Sequence, residues 1–293
     1  MNEPEPGLDG PEWTTKKPRY VMQARACDAH VHVYGPAAKF PFAPAYAHLA
    51  FDAPKEALRK MHQTIGVQRC VIVHAATHGT DLAVTLDALA DGAGRYRAVA
   101  IVDNVVTDRR LEELHDAGVR GIRYNFVPHL GGPPDPADLK RMAARIAPLG
   151  WHVVLHMKAE DILTFTGVLR ELPLPILFDH MLRIDPSLGE AQAPLRCLLD
   201  FLAEGHWVKI AALEKLSRLR YPFEDSVAIG AALIKAAPDR VVWGTDWPHP
   251  TVGAKRTNDG DLVDLIPALA PQPEQQRKLL VENPARLYGF TES

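Results

Sequence analysis

Short apolar runs alternate with amphipathic stretches along most of the chain. Eight runs rich in β-branched residues stand at 27–33, 69–76, 97–103, 119–126, 151–157, 175–180, 206–212 and 240–246. Runs that are apolar at nearly every position are typical of parallel strands covered on both faces. The segments between them, such as 54–65 and 136–150, place Leu, Ile, Val or Ala at i, i+3, i+4 and i+7. This spacing predicts helices with one buried stripe.

The repeated strand–helix units predict an α/β fold, and eight of them predict a closed (β/α)8 TIM-type barrel. The starts of successive runs lie 22 to 42 residues apart, which leaves room for a helical crossover each time. An open doubly wound sheet is the alternative, but it usually carries a glycine-rich phosphate turn after an early strand. The first run ends in HVHVYG instead. We predict one barrel domain over 25–293, preceded by a flexible or surface-draped arm at 1–24.

Composition and charge exclude several classes of protein. The formal net charge of −3 argues against a nucleic-acid surface, and no apolar stretch is long enough to predict a membrane helix. The three cysteines form no CxxC pair, so neither a disulfide framework nor a thiolate zinc site is predicted. The N-terminal residues lack the apolar core of a signal peptide. We therefore predict a cytoplasmic protein without nucleic-acid or membrane partners; a homo-oligomer is compatible with the sequence.

Polar residues stand where several predicted strands end, and barrel enzymes place their active sites at the carboxyl ends of the strands. His30 and His32 are two residues apart on the first strand, so both imidazoles are expected on one face, at a spacing that suits two bonds to one metal ion. His156 is predicted to add a third nitrogen. Asp246 is predicted to be the last ligand and also a general base. His180 is predicted either to ligate the metal or to hold water and donate a proton.

Other chemistries have little support in the sequence. The four serines include no GxSxG elbow, and no Walker loop is present. His62, His115 and His206 fall on or beside predicted helices and are interpreted as surface residues, and His152 is given no role.

The strand-end motifs HVHVYG, VPHLGG, FDHMLR and WGTDWPH, with the closing ENPARLYGF, resemble the amidohydrolase-2 branch of the amidohydrolase superfamily from Cys27 to Phe290. Within it, FPFAPAY, HGTD, GVRGIRYNF, GWHVV and VVWGTDWPHP are most similar to 2-pyrone-4,6-dicarboxylate lactonases and the related sulfomuconolactone hydrolases. The resemblance implies a (β/α)8 barrel that hydrolyses a small cyclic ester from bacterial aromatic breakdown. It also implies that His30, His32, His180 and Asp246 are working groups.

The resemblance further implies residues that bind the substrate. Arg123 and Arg183 are the candidates for binding an anionic group. Arginines of the pyrone-dicarboxylate lactonases appear here as His129 and Lys215, and a tyrosine appears as His48. A planar arginine clamp is not equivalent to Lys or His, so a lactone with one carboxylate and another anionic group is expected instead of the pyrone dicarboxylate.

The prediction of a metal also depends on His156, where this sequence departs from the pattern of the pyrone-dicarboxylate lactonases. The pyrone-dicarboxylate lactonases carry a tyrosine in place of His156 and work without a metal, whereas a histidine there resembles the metal-dependent members. The leading hypothesis is therefore a lactonase that uses Zn²⁺ or Mn²⁺ to open a small anionic muconolactone- or pyrone-type lactone. The alternatives are a metal-independent lactonase, a metal-dependent non-oxidative decarboxylase and a non-catalytic barrel that binds anions.

Overall fold

Eight parallel strands form one sheet whose order in space is the order of the chain. The computed structural model describes residues 10–46, 51–189, 191–249 and 257–291. The strands are β1 (Cys27–Val31), β2 (Arg69–Val73), β3 (Tyr96–Ala100), β4 (Val119–Asn125), β5 (His152–His156), β6 (Ile176–Phe178), β7 (Trp207–Ile210) and β8 (Val241–Trp243). Seven lie within the predicted apolar runs, and β3 begins one residue before its run.

Helices connect the strands along the outside of the sheet. They are α1 (Lys55–Ile65), α2 (Ala83–Asp91), α3 (Asp108–Ala117), α4 (Pro136–Ile146), α5 (Asp161–Arg170), α6 (Ala193–Ala203), α7 (Leu213–Leu216), α8 (Glu224–Ala236), α9 (Asp259–Val263), α10 (Ile266–Leu269), α11 (Pro273–Arg277) and α12 (Asn283–Tyr288). A π-helical turn, Lys278–Glu282, joins the last two. Their apolar stripes face the strands, as in α1, where Leu58, Met61 and Ile65 are buried. None of the helices in the described ranges is long and apolar enough to cross a membrane.

The ring closes between the end of β1 and the residues that follow β8. The backbone nitrogen of His32 donates to the carbonyl of Trp247 at 2.8 Å, and that of Asp246 donates to the carbonyl of His30 at 2.9 Å. These contacts complete a (β/α)8 barrel and confirm the predicted fold. They also place candidate residues from the two ends of the chain side by side.

A buried carboxylate reinforces the same seam from below. Asp28 on β1 accepts hydrogen bonds from the Thr245 backbone nitrogen at 3.0 Å and from the Thr245 hydroxyl at 2.7 Å. His62 of α1 lies against it, with Nε2 3.3 Å from the Asp28 carboxylate. The prediction that His62 is a surface residue is wrong, because the face of α1 that carries it packs against the barrel and leaves it 4% exposed.

The interior of the barrel below these residues is apolar. Val71, Val99, Val154, Leu177 and Val242 are fully buried and belong to one cluster. A larger cluster fills the space between the strands and the surrounding helices. The polar residues that follow the strands lie above this apolar cluster, at one rim of the barrel.

The described part of the N-terminal arm lies along the end of α9. The backbone nitrogens of Arg19 and Tyr20 donate to the Asp264 carboxylate at 2.7 and 2.9 Å. The Lys16 backbone nitrogen donates to the side chain of Asn258 at 2.8 Å. The boundary between arm and barrel at residue 24 stays a prediction.

Candidate active site

Three predicted residues meet at the β8–β1 seam. His30 Nε2 and His32 Nε2 are 3.3 Å apart, and each lies 3.4 Å from Asp246 Oδ1. All three side chains are almost completely buried. The two imidazoles and the carboxylate therefore surround one point, as the spacing of the HxH pair and the position of Asp246 predict.

Local geometry determines how closely these groups approach. His32 donates from Nδ1 to the carbonyl of Val73 on β2 at 2.7 Å, since a carbonyl oxygen can only accept, and in the neutral ring Nε2 is then an acceptor. Gly244 directly follows β8 and precedes Asp246 by two residues, and a Cβ there would lie 2.5 Å from the His30 backbone nitrogen. A side chain at this position would push the two strands apart, so the close seam requires glycine.

Asp246 is paired with a cation on its other side. Lys215, in α7, donates to Asp246 Oδ2 at 2.5 Å. Burial alone would raise the pKa of Asp246, but the positive charge of Lys215 holds it well below the usual value. The carboxylate is therefore ionised at neutral pH and able to accept a proton.

A second group of buried charges lies beneath the first. Asp179, directly after β6, accepts from Arg123 Nε at 2.9 Å and lies 2.9 Å from Lys209 Nζ and 3.4 Å from His30 Nδ1. Burial raises the pKa of Asp179, but Lys209, His30 and Arg123 together hold it well below its ordinary value. Burial, aided by Lys209, lowers the pKa of His30 to about 3, so this imidazole is neutral.

The backbone after β6 turns through an uncommon conformation. The four residues from His180 to Arg183 all have φ between 51° and 55°. Left-handed backbone costs L-residues about 1–2 kcal/mol each, and such strain is concentrated at functional sites. Here it brings the His180 ring within 4.7 Å of the His30 ring, centroid to centroid, while Arg183 reaches the same cavity from the other end of the turn.

A cavity of about 270 Å³ opens above these groups. Predicted site residues that line it are His32, Arg123, His156, His180, Arg183, Lys215 and Asp246. The β1–β2 side of the cavity carries the hydroxyl groups of Tyr34 and Thr77, and the β4–β6 side carries the arginines and His156. The cavity thus has a neutral wall facing a basic wall.

Of the predicted site residues, His156 lines the cavity but does not belong to a group of closely spaced ligand atoms. His156 Nδ1 donates to Asn125 Oδ1 at 3.1 Å, and its ring lies 5.4 Å from that of His180. Among the described residues, the His and Asp ligand atoms that lie within 4.8 Å of one another form two groups, His30–His32–Asp246 and His30–Asp179–His180, and His156 is in neither. His48 and the His129 side chain lie outside the described part of the chain.

The sequence interpretation missed Lys209 and assigned no role to Asp179, Tyr34 or Thr77. Lys209 had a recognisable signal, because it is the one charged residue within the apolar strand WVKI. The Thr77 hydroxyl is buried without a hydrogen-bond partner among the described residues. Such a group in a cavity wall is available to a bound molecule.

The donor atoms at the seam fit a divalent cation. Two imidazole nitrogens and one carboxylate oxygen form the kind of N₂O set that zinc and manganese accept, and all three atoms face one point. A neutral His32 with its hydrogen on Nδ1 presents a lone pair on Nε2. To bind the same cation, His30 would also have to present a lone pair on Nε2.

Comparisons with known proteins agree with this architecture. The family model for amidohydrolases matches residues 27–290. The chain is 40% identical to a 2-pyrone-4,6-dicarboxylate hydrolase of Comamonas testosteroni over 93% of this chain and 92% of that protein. It is 37% identical to a 4-sulfomuconolactone hydrolase of Hydrogenophaga intermedia over 98% and 96%, respectively. A crystal structure of a Pseudomonas putida protein superposes with a TM-score of 0.81 at 28% identity, covering 93% of this chain and all of that one.

Proposed function

The chain belongs to the amidohydrolase family, and from this premise we propose that it is a hydrolase that opens a small anionic lactone of the muconolactone or pyrone type. Two relatives that match nearly the whole chain at 37% and 40% identity are named as hydrolases of such compounds. The observation that carries the proposal is the convergence of an ionised Asp246 with His30, His32 and His180 at the floor of a basic cavity.

Asp246 is the proposed general base. Its carboxylate is ionised and lies at the cavity floor, where a water molecule held between Oδ1 and the histidines could lose a proton to it. Proton transfer to a positioned base typically accelerates a reaction about 10²–10⁴-fold. The resulting hydroxide would attack the lactone carbonyl, and the ring oxygen would leave with a proton.

His180 is the proposed partner of the carbonyl or leaving oxygen. Burial lowers the pKa of His180 well below its ordinary value, so the ring is neutral and carries one N–H. Its Nδ1 has no hydrogen-bond partner among the described residues. A fixed donor aimed at a developing oxyanion stabilises the transition state more than the ground state.

The basic wall is proposed to bind the anionic group of the substrate. Arg183 is exposed at the cavity and makes no hydrogen bond or ion pair within the described ranges, so its guanidinium is available. Arg123 is engaged by Asp179 through Nε but lines the same wall, and Lys215 adds a positive charge beside Asp246. His48 and His129 remain proposed contributors to substrate binding.

We further propose that His30, His32 and Asp246 hold a divalent cation, Zn²⁺ or Mn²⁺. A cation bound there would act as a Lewis acid for the carbonyl and would make bound water more acidic. His156 faces the same cavity from β5, and its role as an additional ligand stays a prediction. A specific observation favours the metal-free alternative as a second candidate: Lys215 and Lys209 already place two cations beside Asp246 and His30.

The test is to incubate the purified protein with 2-pyrone-4,6-dicarboxylate, 4-sulfomuconolactone and an uncharged γ-lactone, and to identify the products. We expect an opened acid from an anionic lactone, and a loss of about 10²–10⁴-fold in Asp246→Asn. Asp87→Asn, which alters a carboxylate paired with Lys39 and Lys55 outside the cavity, is the matched control. Release of carbon dioxide without an opened acid would favour a decarboxylase, and no turnover of any lactone would contradict the proposal.

Metal dependence is tested on the same preparation. Dialysis against a chelator is expected to lower the rate, and Zn²⁺ or Mn²⁺ is expected to restore it. Full activity in protein verified to be free of metal would favour the metal-free alternative.

A further inference from the structure

Lys209 is a completely buried lysine at the floor of the active site. It lies on β7 between Val208 and Ile210, and its side chain is 0% exposed. Its Nζ is 2.9 Å from Asp179 Oδ1 and 3.1 Å from His30 Nδ1. A buried ammonium is costly unless it is paired, so these two contacts account for its presence in an apolar strand.

The nitrogen of His30 that faces Lys209 has two neighbours with opposite requirements. Asp179 can only accept a hydrogen bond, and it would need a hydrogen on His30 Nδ1. Lys209 can only donate, and it would need a lone pair there. Lys209 is the closer of the two at 3.1 Å, against 3.4 Å for Asp179, whose other oxygen also accepts from Arg123.

The contacts of the other ring nitrogen, Nε2 of His30, agree with the Lys209 arrangement. The carbonyl of Val73 can only accept, so His32 carries a hydrogen on Nδ1, and as a neutral imidazole it presents Nε2 as an acceptor. His32 Nε2 lies 3.3 Å from His30 Nε2, and this contact is a hydrogen bond only if His30 donates. A neutral His30 with hydrogen on Nε2 has its lone pair on Nδ1, where Lys209 donates.

We propose that Lys209 is a positioning residue that holds His30 in the tautomer with hydrogen on Nε2, and that it thereby sets the affinity of the His30–His32–Asp246 group for a divalent cation. The inference rests on the proposed function only in taking these residues as the active site. In this state the Nε2–H of His30 lies between His32 Nε2, at 3.3 Å, and Asp246 Oδ1, at 3.4 Å. A cation needs a lone pair on that same nitrogen.

Cation binding therefore requires His30 to move its hydrogen to Nδ1, where Asp179 would accept it, and to give up the hydrogen bond from Lys209. Hydrogen bonds to charged groups contribute enough to stability that losing one corresponds to about a tenfold to hundredfold weaker affinity. The two histidines of the HxH pair thus have different roles in the resting protein. His32 is ready to bind a cation, and His30 is a hydrogen-bond donor.

The direct test is the ¹⁵N spectrum of histidine-labelled, metal-free wild-type protein, because protonated and unprotonated ring nitrogens have well-separated shifts. The His30 signals are assigned by their loss in His30→Gln. We expect a protonated Nε2 and an unprotonated Nδ1 in the wild type. A protonated Nδ1 would overturn the proposal, and this result does not depend on whether the protein hydrolyses a lactone.

The next experiment tests whether Lys209 determines the tautomer of His30. In Lys209→Met, which keeps an unbranched side chain one atom shorter and removes its charge, we expect His30 to carry its hydrogen on Nδ1 and Zn²⁺ to bind about tenfold or more tightly by calorimetry. Loss of a nearby positive charge would by itself strengthen zinc binding, so the nitrogen shifts are the deciding observation. An unchanged His30 tautomer in this variant would contradict the proposal.

A second variant covers the case in which Lys209→Met does not fold. Lys209→Met combined with Asp179→Asn removes both charges of this pair, and the new amide oxygen can still accept the hydrogen bond from Arg123 Nε. His30 then loses the donor that requires its lone pair on Nδ1, so its spectrum should depart from that of the wild type. Lys55→Met, which removes a lysine paired with Asp87 far from the site, should leave the His30 signals and zinc affinity unchanged.

Discussion

Lys215 Nζ lies 2.5 Å from Asp246 Oδ2, and this ion pair joins the segments that follow β7 and β8 at the cavity floor. The lysine is about a quarter exposed, whereas the carboxylate is almost fully buried. Asp246 thus faces a cation on one oxygen and two imidazoles on the other. This arrangement keeps the carboxylate ionised while it remains open to the cavity.

Replacing Lys215 by Met is expected to lower kcat/KM for an anionic lactone by about 10–100-fold, because a charge-assisted hydrogen bond to Asp246 is lost. Lys215→Arg keeps the positive charge and should recover part of the activity, although a guanidinium does not reproduce the geometry of an ammonium. Steady-state kinetics on both variants check this. Equal losses of kcat/KM in the two variants would show that the positive charge of Lys215 does not account for its effect on activity.

Arg183→Gln is expected to raise KM for an anionic lactone by about 10–100-fold with a smaller change in kcat, because the exposed guanidinium is proposed to bind the anionic group. The control is a second substrate that carries no charge. An uncharged lactone should show little change in KM between wild type and variant. If both substrates lose affinity equally, Arg183 has a structural role in the left-handed turn instead.

Gly244→Ala is expected to destabilise the protein by about 1–3 kcal/mol, because the new methyl group would lie 2.5 Å from the His30 backbone nitrogen at the β8–β1 seam. The activity of this variant should also fall, because His30 and Asp246 lie at the same seam. Gly167→Ala in α5 is the control, because nothing lies within 4 Å of its new methyl group. Alanine there should be neutral or stabilising by about 0.5–1 kcal/mol. Urea unfolding measures both.

The free energy of unfolding is expected to depend on pH through His249. Burial alone would lower its pKa, but the carboxylates of Asp259, 3.0 Å from Nε2, and Glu214, 3.4 Å from Nδ1, raise it from 6.5 to about 10. The folded protein therefore holds a proton that the unfolded chain releases above pH 6.5. The stabilisation is fully present below that pH and is lost as the pH rises toward 10, with a slope of up to about 1.4 kcal/mol per pH unit.

The measurement is the free energy of unfolding in urea between pH 6 and pH 10, for wild type and His249→Gln. The variant should be less stable at pH 6, and its decline toward pH 10 should be shallower than that of the wild type. Parallel curves for the two proteins would assign the pH dependence to other groups.

Much of the architecture follows from local patterns. Apolar runs at nearly regular intervals predicted all eight strands, since a strand covered on both faces has to be apolar along its length. The two-residue spacing of His30 and His32, and the position of Asp246 after the last strand, predicted that these residues would meet at one end of the barrel. That prediction needs only the rule that the carboxyl ends of parallel strands share a rim.

The contacts that decide the chemistry depend on the tertiary structure. Whether His30 faces Lys209 or Asp179, and whether His156 joins the donor group, depends on strand register and on how β8 closes against β1. His62 was misjudged because its helical position does not reveal the buried Asp28 opposite it. Sequence by itself determined which residues lie at the rim; the closure of the barrel decided which atoms touch, because hydrogen bonds and ion pairs depend on distances of a few tenths of an ångström between residues far apart in the chain.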